Sequence, residues 1–181
     1  MDEAGVSLTP LMPRTWAPKG KTPRIVCNVN GGKLSAIGGM DLSGEIYFRV
    51  HEESIKSEQA MGYLEQLLRH VDGGHVVVLW DGLPAHRSKA VKEFGAQHSD
   101  RLSIFRLPPY CPDFNPVEWL WADVKWNKMK GFCPMDVAEL KKKLKSCVNA
   151  LRRKPEVVRS FFNASSLPIG PLEERKLCNY Q

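Results

Sequence analysis

The spacing of hydrophobic residues divides the chain into short strands, followed by helices and strands in alternation. Two runs rich in β-forming residues, KLSAIGGMDL (33–42) and EIYFRVH (45–51), flank a turn at 43–44 and are typical of a hairpin. The run HVVVLW is β-branched and apolar at successive positions, which indicates a central strand that is buried on both faces and ends at Asp81. RLSIFRL (101–107) predicts another strand.

Apolar residues recur every three or four positions in other segments, which predicts helices. Ser54 stands where the first helix would need an N-cap, and Asn115 followed by Pro116 favours the start of the third helix. The predicted helices span residues 54–70, 88–97, 116–130 and 135–153. Because a hairpin precedes β-α-β units, we expect an α/β fold with a mixed sheet flanked by helices.

The composition favours one globular domain. Of the 181 residues, 43% are hydrophobic and 25% are charged, as in ordinary soluble proteins. We expect the domain to cover residues 1–167 and a loosely attached tail to cover residues 168–181. No apolar run approaches the roughly 20 residues that cross a bilayer, and the acidic start MDEAGVSLTP is unlike a signal peptide. The sequence therefore predicts a cytoplasmic protein with no membrane partner.

Basic residues are in excess and gather in the C-terminal half. The formal charge is +6, and the run KKKLK (141–145) lies in the last predicted helix. This bias suits a polyanion such as DNA, although a solvated helix face has the same composition. For His86, a phosphate contact, a general base and a structural loop histidine all remain open. The candidate DNA contacts are Lys19, Lys21, His86, Arg87, Lys125, Lys141, Lys142 and Lys145.

Three acids fall at chemically useful places in this outline. Asp2 lies at the start, Asp81 ends the apolar strand, and Glu118 lies in the first turn of a predicted helix. Carboxylates at the carboxyl edge of a sheet converge on the crevice where α/β proteins bind ligands. Close carboxylates repel one another unless cations neutralise them, and oxygen ligands favour Mg²⁺ or Mn²⁺. Taken singly, Asp81 is also an ordinary turn residue, and Glu118 is also an acid that stabilises a helix N-terminus.

The stretch PPYCPDFNPVE would hold the third acid in place. Its prolines, among them Pro109 and Pro116, restrict the path of the loop, and Asn115 sets the start of the helix. We therefore expect Glu118 to point at the other acids, and we expect Asp113 to stabilise the loop and the helix end.

Taken together, these segments resemble a known family. WDGLPAHRSKAVKEF followed by LPPYCPDFNPVEWLWADVKW is similar to the second and third catalytic blocks of DDE-type transposases of the mariner-related insertion-sequence group. DEAGVSLTPLMPRTWAPKGKTP resembles the first block. The resemblance covers residues 2–130 in order, and the separation of Asp81 and Glu118 agrees with the family's usual spacing. Gly82 and Cys111 stand where the family usually has asparagine and serine, but neither change removes an acid.

This resemblance implies an RNase H-like fold with a five-stranded mixed sheet. It also implies that Asp2, Asp81 and Glu118 form a catalytic triad, that the triad holds two Mg²⁺ or Mn²⁺ ions, and that the reaction is cleavage and transfer of DNA strands. The implied partners are the element ends, the target DNA and a second copy of the chain, in association with the nucleoid.

One departure lies before the first acid. Only Met1 precedes Asp2, where the family carries helix-turn-helix modules and the first half of the central strand. We therefore expect a truncated first strand and an upstream helix-turn-helix portion as a partner, as in a split or frameshifted transposase. Two alternatives remain, a catalytically impaired DNA-binding remnant and an RNase H-type nuclease without transposition.

Overall fold

The computed structural model describes residues 1–12, 14–25, 27, 31–82, 84–109, 111–167 and 169. The predicted tail at 168–181 lies outside the described residues, apart from Ile169. Strands and helices follow one another as in the predicted α/β fold.

The described residues contain five strands, one at the N-terminus and four in the segments that were predicted to form strands. Gly44 adopts a φ of 92° in the hairpin turn, and its N–H donates to the Asp41 carbonyl at 3.0 Å, which closes the turn. The predicted hairpin and the two later strands are thereby confirmed. The strands are β1 (Asp2–Ser7), β2 (Lys33–Met40), β3 (Ile46–His51), β4 (Val76–Trp80) and β5 (Leu102–Arg106).

The described strands form two sheets, whereas the sequence predicted one. β1, β2 and β3 form an antiparallel sheet in that order, and β4 pairs with β5 in parallel. The reason is that β1 begins at Asp2, so that β1 approaches β4 through the Met1 ammonium, which donates to the Leu79 carbonyl at 2.6 Å. The prediction that β4 is buried on both faces is also wrong, because Val77 is 61% exposed and Leu79 is 40% exposed.

The helices match the predicted segments with two exceptions. The helix predicted from residue 54 begins at Ser57, and its N-cap is Lys56, whose N–H donates to the Gln59 side chain at 3.0 Å; Ser54 is not the cap. A fifth helix was not predicted. The helices are α1 (Ser57–His70), α2 (Lys89–Gln97), α3 (Pro116–Ala122), which continues as a π-helical segment (Asp123–Lys128), α4 (Val137–Arg152) and α5 (Pro155–Ala164).

Two apolar cores lie on opposite faces of the first sheet. Ala36 of β2 belongs to a core shared with α3, α4 and α5, whereas its neighbour Ile37 belongs to a core shared with α1, α2 and β4. This arrangement follows from the alternation of side chains along a strand. It places α3 over one face of β1 and leaves the other face towards α1. In the part of the chain that the structure describes, no helix is both long and apolar enough to cross a membrane.

Candidate active site

Asp2 lies on the face of β1 that is covered by α3. It pairs with Gly38 of β2, and a Cβ atom at position 38 would lie 2.8 Å from the Trp121 ring of α3. The glycine therefore lets α3 pack closely against the sheet beside Asp2. The Asp2 side chain is buried as a result, with 5% of the residue exposed.

Glu118 lies in the first turn of α3, where the sequence placed it. The Asn115 side chain accepts a hydrogen bond from the Val117 N–H at 3.2 Å, and Pro116 occupies the first turn. Asn115 is buried, with 5% of the residue exposed, so that the start of this helix is fixed within the core. The predicted cap is thus confirmed, and it orients the exposed Glu118 near Asp2.

Two other residues of the loop before α3 were expected to hold the site. Pro109 and Asp113 both lie at the surface. The main-chain carbonyl of Asp113 accepts a hydrogen bond from the Ser166 N–H at 2.7 Å, which ties the loop to the residues that follow α5. The expected stabilising role of the Asp113 side chain stays a prediction.

Asp2 lies within electrostatic range of the other two acids. Burial raises the pKa of Asp2 to about 7, and repulsion from Glu118 and, more weakly, from Asp81 acts in the same direction. The Oδ2 atom of Asp2 is buried and makes no hydrogen bond to the described residues. A buried carboxylate oxygen without a hydrogen-bond donor, in the electrostatic range of two further acids, fits a divalent cation that prefers oxygen ligands.

His86 contacts the carboxylate of Asp81. The ring nitrogens of His86 lie 2.6 Å from Asp81 Oδ1 and 2.7 Å from Glu3 Oε1. The ring also stacks on Trp80 with the centroids 3.7 Å apart, and 5% of the residue is exposed. Burial lowers the pKa of His86, but the hydrogen bonds to the two carboxylates outweigh it and raise the pKa to about 9. At neutral pH His86 is therefore a cation that bridges two acids.

This bridge is poorly suited to holding a metal ion. Donor atoms of Glu3, Asp81 and His86 lie within 4.8 Å of one another. A metal-bound histidine must be neutral, however, and both nitrogens of this ring already contact carboxylates. These contacts join His86 to Glu3 and Asp81, and the DNA contact expected of His86 stays a prediction.

Glu3 is the site residue that the sequence reasoning missed. It pairs with Ile37 and so lies on the opposite face of β1 from Asp2. The sequence feature that could have identified Glu3 is the consecutive Asp2-Glu3 pair at the start of a strand. Side chains alternate along a strand, so such a pair places one acid on each face of the sheet.

The other candidate DNA contacts differ in exposure and in their contacts with the protein. Lys141 is partly buried and pairs with Glu52 at 2.8 Å. Arg87 is exposed, and its Nε donates to the Gly82 carbonyl. Lys125 is half-buried in the π-helical segment. The remaining four candidates are exposed lysines, namely Lys19, Lys21, Lys142 and Lys145.

The comparisons with known proteins identify the family and the fold. Residues 1–136 match the DDE superfamily endonuclease family. The fold is similar to that of the Mos1 mariner paired end complex with Mn, at 18% identity and a TM-score of 0.66, over 90% of this chain and 52% of that chain. It is also similar to the Mos1 strand transfer complex, at 19% identity and a TM-score of 0.62, over 90% of this chain and 52% of that chain.

A third similar structure is the catalytic domain of Mos1 mariner transposase alone, at 18% identity and a TM-score of 0.57, over 73% of this chain and 72% of that chain. At these identities the likeness concerns the fold. The chain spans about half the length of the Mos1 chains in the two complexes, at 52% in each case. No curated protein matches its sequence.

Proposed function

The chain belongs to the DDE superfamily endonucleases, and we propose that it is the catalytic part of a transposase that cuts DNA at the ends of an insertion sequence and joins them to target DNA. The observation that carries this proposal is the buried, unpaired Oδ2 of Asp2, which lies on a Mos1-like fold within electrostatic reach of Asp81 and Glu118. A fully packed structural aspartate would have its oxygens hydrogen-bonded.

Asp2, Asp81 and Glu118 are proposed to hold two divalent cations, Mg²⁺ or Mn²⁺. The Mos1 mariner paired end complex, which has a similar fold, contains Mn. Bound cations would supply an activated water or hydroxyl and would stabilise the leaving oxygen of a phosphodiester. The repulsion that raises the pKa of Asp2 supports this assignment, because cations would offset it.

The chain's own residues have separate tasks in this scheme. Asp2 would act as a cation ligand in its ionised form, and its raised pKa of about 7 means that a bound cation would compete with a proton for this carboxylate. Asn115 fixes the first turn of α3 and thereby the direction of Glu118. His86 holds Asp81 through one ring nitrogen and is itself held by Glu3 through the other, so that Asp81 does not rotate away from the site.

DNA is the proposed partner, and the exposed basic residues are its proposed contacts. Lys19, Lys21, Lys142 and Lys145 are exposed and would neutralise phosphates without reading bases. Lys141 and Arg87 already contact other protein groups, and Lys125 is half-buried. These three residues would therefore contribute less to the affinity for DNA. Because the Mos1 structure is a paired end complex, we propose that this chain also acts on paired ends as a homodimer, together with an upstream helix-turn-helix portion and at the nucleoid.

Cleavage assays on two substrates test this function. Purified chain is incubated with a DNA duplex that contains the element end, and separately with an RNA–DNA hybrid of the same sequence, each with Mg²⁺, Mn²⁺ or chelator. We expect metal-dependent cutting of the DNA duplex and joining of the cut 3′ end to a second duplex. Cutting of the hybrid alone would identify an RNase H-type nuclease. DNA binding without cutting in either metal would identify an impaired remnant.

A further inference from the structure

A long loop connects β1 with β2 and is anchored near both of its ends. Loops without secondary structure rarely exceed about 12–15 residues, whereas this connection covers residues 8–32. The Leu8 N–H donates to the Gly32 carbonyl at 2.9 Å, and the Leu11 carbonyl accepts from the Gly131 N–H at 3.0 Å. The long stretch between these anchors depends on other contacts to keep one position.

Cys27 lies where this loop returns to the body of the protein. The residues of the segment 14–25 are all exposed, and they include the proposed DNA contacts Lys19 and Lys21. Cys27 is only partly exposed, and its thiol donates a hydrogen bond to Cys133 Sγ at 2.7 Å. Cys133 lies between the π-helical segment and α4. The contact therefore joins two segments whose cysteines are 106 positions apart in sequence.

The two sulfur atoms need only a small movement to form a bond. A disulfide bond is about 2.05 Å long, and the distance of 2.7 Å between Cys27 Sγ and Cys133 Sγ exceeds this length by less than an ångström. Both residues are free, partly exposed cysteines, so a small reagent in solution can reach them. Cys147 differs, because it is buried in the core and burial raises the pKa of its thiol. Cys27 and Cys133 thus combine proximity with access.

A metal ion explains this pair less well than a bond does. Structural zinc takes four ligands with sulfur about 2.3 Å from the ion, so two thiolates on one tetrahedral zinc lie roughly 3.8 Å apart. The cysteine sulfurs are closer than that. Within the part of the chain that the structure describes, the group of three potential metal ligands is that of Glu3, Asp81 and His86, which contains neither cysteine.

We propose that Cys27 and Cys133 are a redox modification site, at which a low-molecular-weight disulfide such as oxidised glutathione converts the two thiols into an intramolecular disulfide. One cysteine thiolate attacks a sulfur of the reagent, which forms a mixed disulfide and releases one glutathione. The second cysteine thiolate then attacks the protein sulfur of the mixed disulfide and releases the other glutathione. The two cysteines are oxidised, the reagent is reduced to two thiols, and the two cysteine protons end on those thiols.

The bond closes the loop onto the segment that precedes α4, and excess thiol opens it again. The part of the loop that carries Lys19 and Lys21 is then anchored on both sides, by the Leu11 carbonyl before it and by Cys27 after it. This inference goes beyond the proposed function, and its test uses neither DNA nor metal.

Oxidation of the purified chain in glutathione tests this site. Excess oxidised glutathione is added to the folded chain, the reaction is quenched with acid, the remaining thiols are alkylated, and the peptides are identified by mass spectrometry. We expect the bond between Cys27 and Cys133 to be the main disulfide in monomeric chain, and we expect excess dithiothreitol to restore both thiols. In urea, the five cysteines of the chain should pair without this preference.

The melting temperature provides a second readout. A cross-link between cysteines 106 positions apart restricts the unfolded chain, so oxidation should raise the melting temperature by roughly 5–15 °C. Cys27→Ser and Cys133→Ser should each abolish the bond and the rise. The matched control is Cys111→Ser, which changes another free, partly exposed cysteine and should keep both.

Four results would overturn the proposal. Separate glutathione adducts on Cys27 and Cys133, without a bond between them, would show that the two sulfurs do not meet. A main disulfide that joins two chains would place the reactive pair between copies. An equal yield of the bond in the folded and the urea-unfolded chain would show that the fold does not bring the sulfurs together. A bond that lowers the melting temperature would show that the fold must distort to form it.

Discussion

At the scale of single residues, His86 connects two acids that are far apart in sequence. Its contacts with Glu3 and Asp81 supply two charge-assisted hydrogen bonds, each worth roughly 1.5–3 kcal/mol, at 2.7 and 2.6 Å. We expect His86→Phe to keep the stacking on Trp80 but to reduce Mn²⁺ affinity and the cleavage rate by about 10–100-fold, as is typical when a group that orients a ligand is removed. Calorimetric titration with Mn²⁺ checks this.

A matched control separates positioning from stability. Lys89→Gln removes an exposed ion pair between Lys89 and Glu93, which both lie in α2. This variant should leave the Mn²⁺ affinity unchanged. An unaltered Mn²⁺ affinity in His86→Phe would show that the histidine serves the fold alone.

The pKa of His86 also predicts a pH dependence. Because the pKa is raised from 6.5 to about 9 in the folded state, the stabilisation is complete below pH 6.5 and is lost as the pH rises through about 9. The melting temperature of the chain should therefore fall between pH 7 and 10 by more than that of His86→Phe. Parallel slopes in the two proteins would contradict the buried imidazolium.

Asp2 has a linkage of the same sign as His86, in a lower pH range. Its pKa is raised from 3.8 to about 7, so the folded chain keeps a proton that the unfolded chain has released, and stability falls as the pH rises from 3.8 to about 7. Divalent cations must displace this proton. The increase in melting temperature caused by Mn²⁺ should therefore be larger at pH 8 than at pH 6, and Asp2→Asn should abolish this difference. An equal Mn²⁺ effect at both pH values in the unaltered chain would argue against Asp2 as a ligand.

Sequence patterns reached only some of these residues. Asp81 directly follows a predicted strand and Glu118 lies in the first turn of a predicted helix, so the places of both acids in the fold could be inferred from the sequence. The contact of Glu3 with His86 joins residues 83 positions apart and depends on the way β1 and the turn after β4 pack together. No local pattern encodes that contact.

At the scale of elements, the start of α3 controls the site. Removing the cap in Asn115→Ala should cost about 1 kcal/mol of stability and should also lower the cleavage rate, because Glu118 then loses its fixed direction. Asp136 caps α4 in the same way, accepting from the Glu139 N–H at 2.7 Å. Asp136→Ala is thus the matched control, with a similar loss in thermal melting and an unchanged cleavage rate. Equal rates in both variants would mean that the cap does not position Glu118.

The basic face of α4 provides a second prediction at this scale. Lys142 and Lys145 are exposed, whereas Lys141 is paired with Glu52. Replacing Lys142 and Lys145 with glutamine should weaken DNA binding similarly for all sequences and should reduce the salt dependence by about one unit of slope for each phosphate that is no longer neutralised. Lys141→Gln should have the smaller effect. An unchanged slope in the double variant would assign these lysines to a solvated helix face.

Element prediction failed where neighbours in space decide the outcome. α5 was missed because it follows α4 closely and begins at Pro155, which by itself indicates a break. β4 was predicted from its apolar residues to be buried on both faces. Val77 and Leu79 are nevertheless exposed, because the burial of a strand face depends on which elements pack against it, and the strand's own residues do not reveal this.

At the scale of the whole molecule, two apolar cores cover the faces of the first sheet, and β1 at the edge of that sheet approaches β4 of the second sheet through Met1. Asp2 begins β1 and Asp81 directly follows β4, so both acids lie where the two sheets approach each other. The predicted α/β class is confirmed, and the family match covers residues 1–136. The arrangement explains how a recognisable catalytic fold can have its first acid at a strand end.

The central claim is that Asp2, Asp81 and Glu118 form the metal-dependent site, rather than the closer group of Glu3, Asp81 and His86. It is tested most directly by Mn²⁺-dependent cleavage of end-containing DNA by Asp2→Asn, Glu118→Gln and Glu3→Gln. We predict that the first two variants lose about 100-fold or more in rate, as expected when groups at the reacting atoms are removed or misplaced, whereas Glu3→Gln loses about 10-fold or less. Full activity in Asp2→Asn or Glu118→Gln, with activity abolished in Glu3→Gln, would contradict the account.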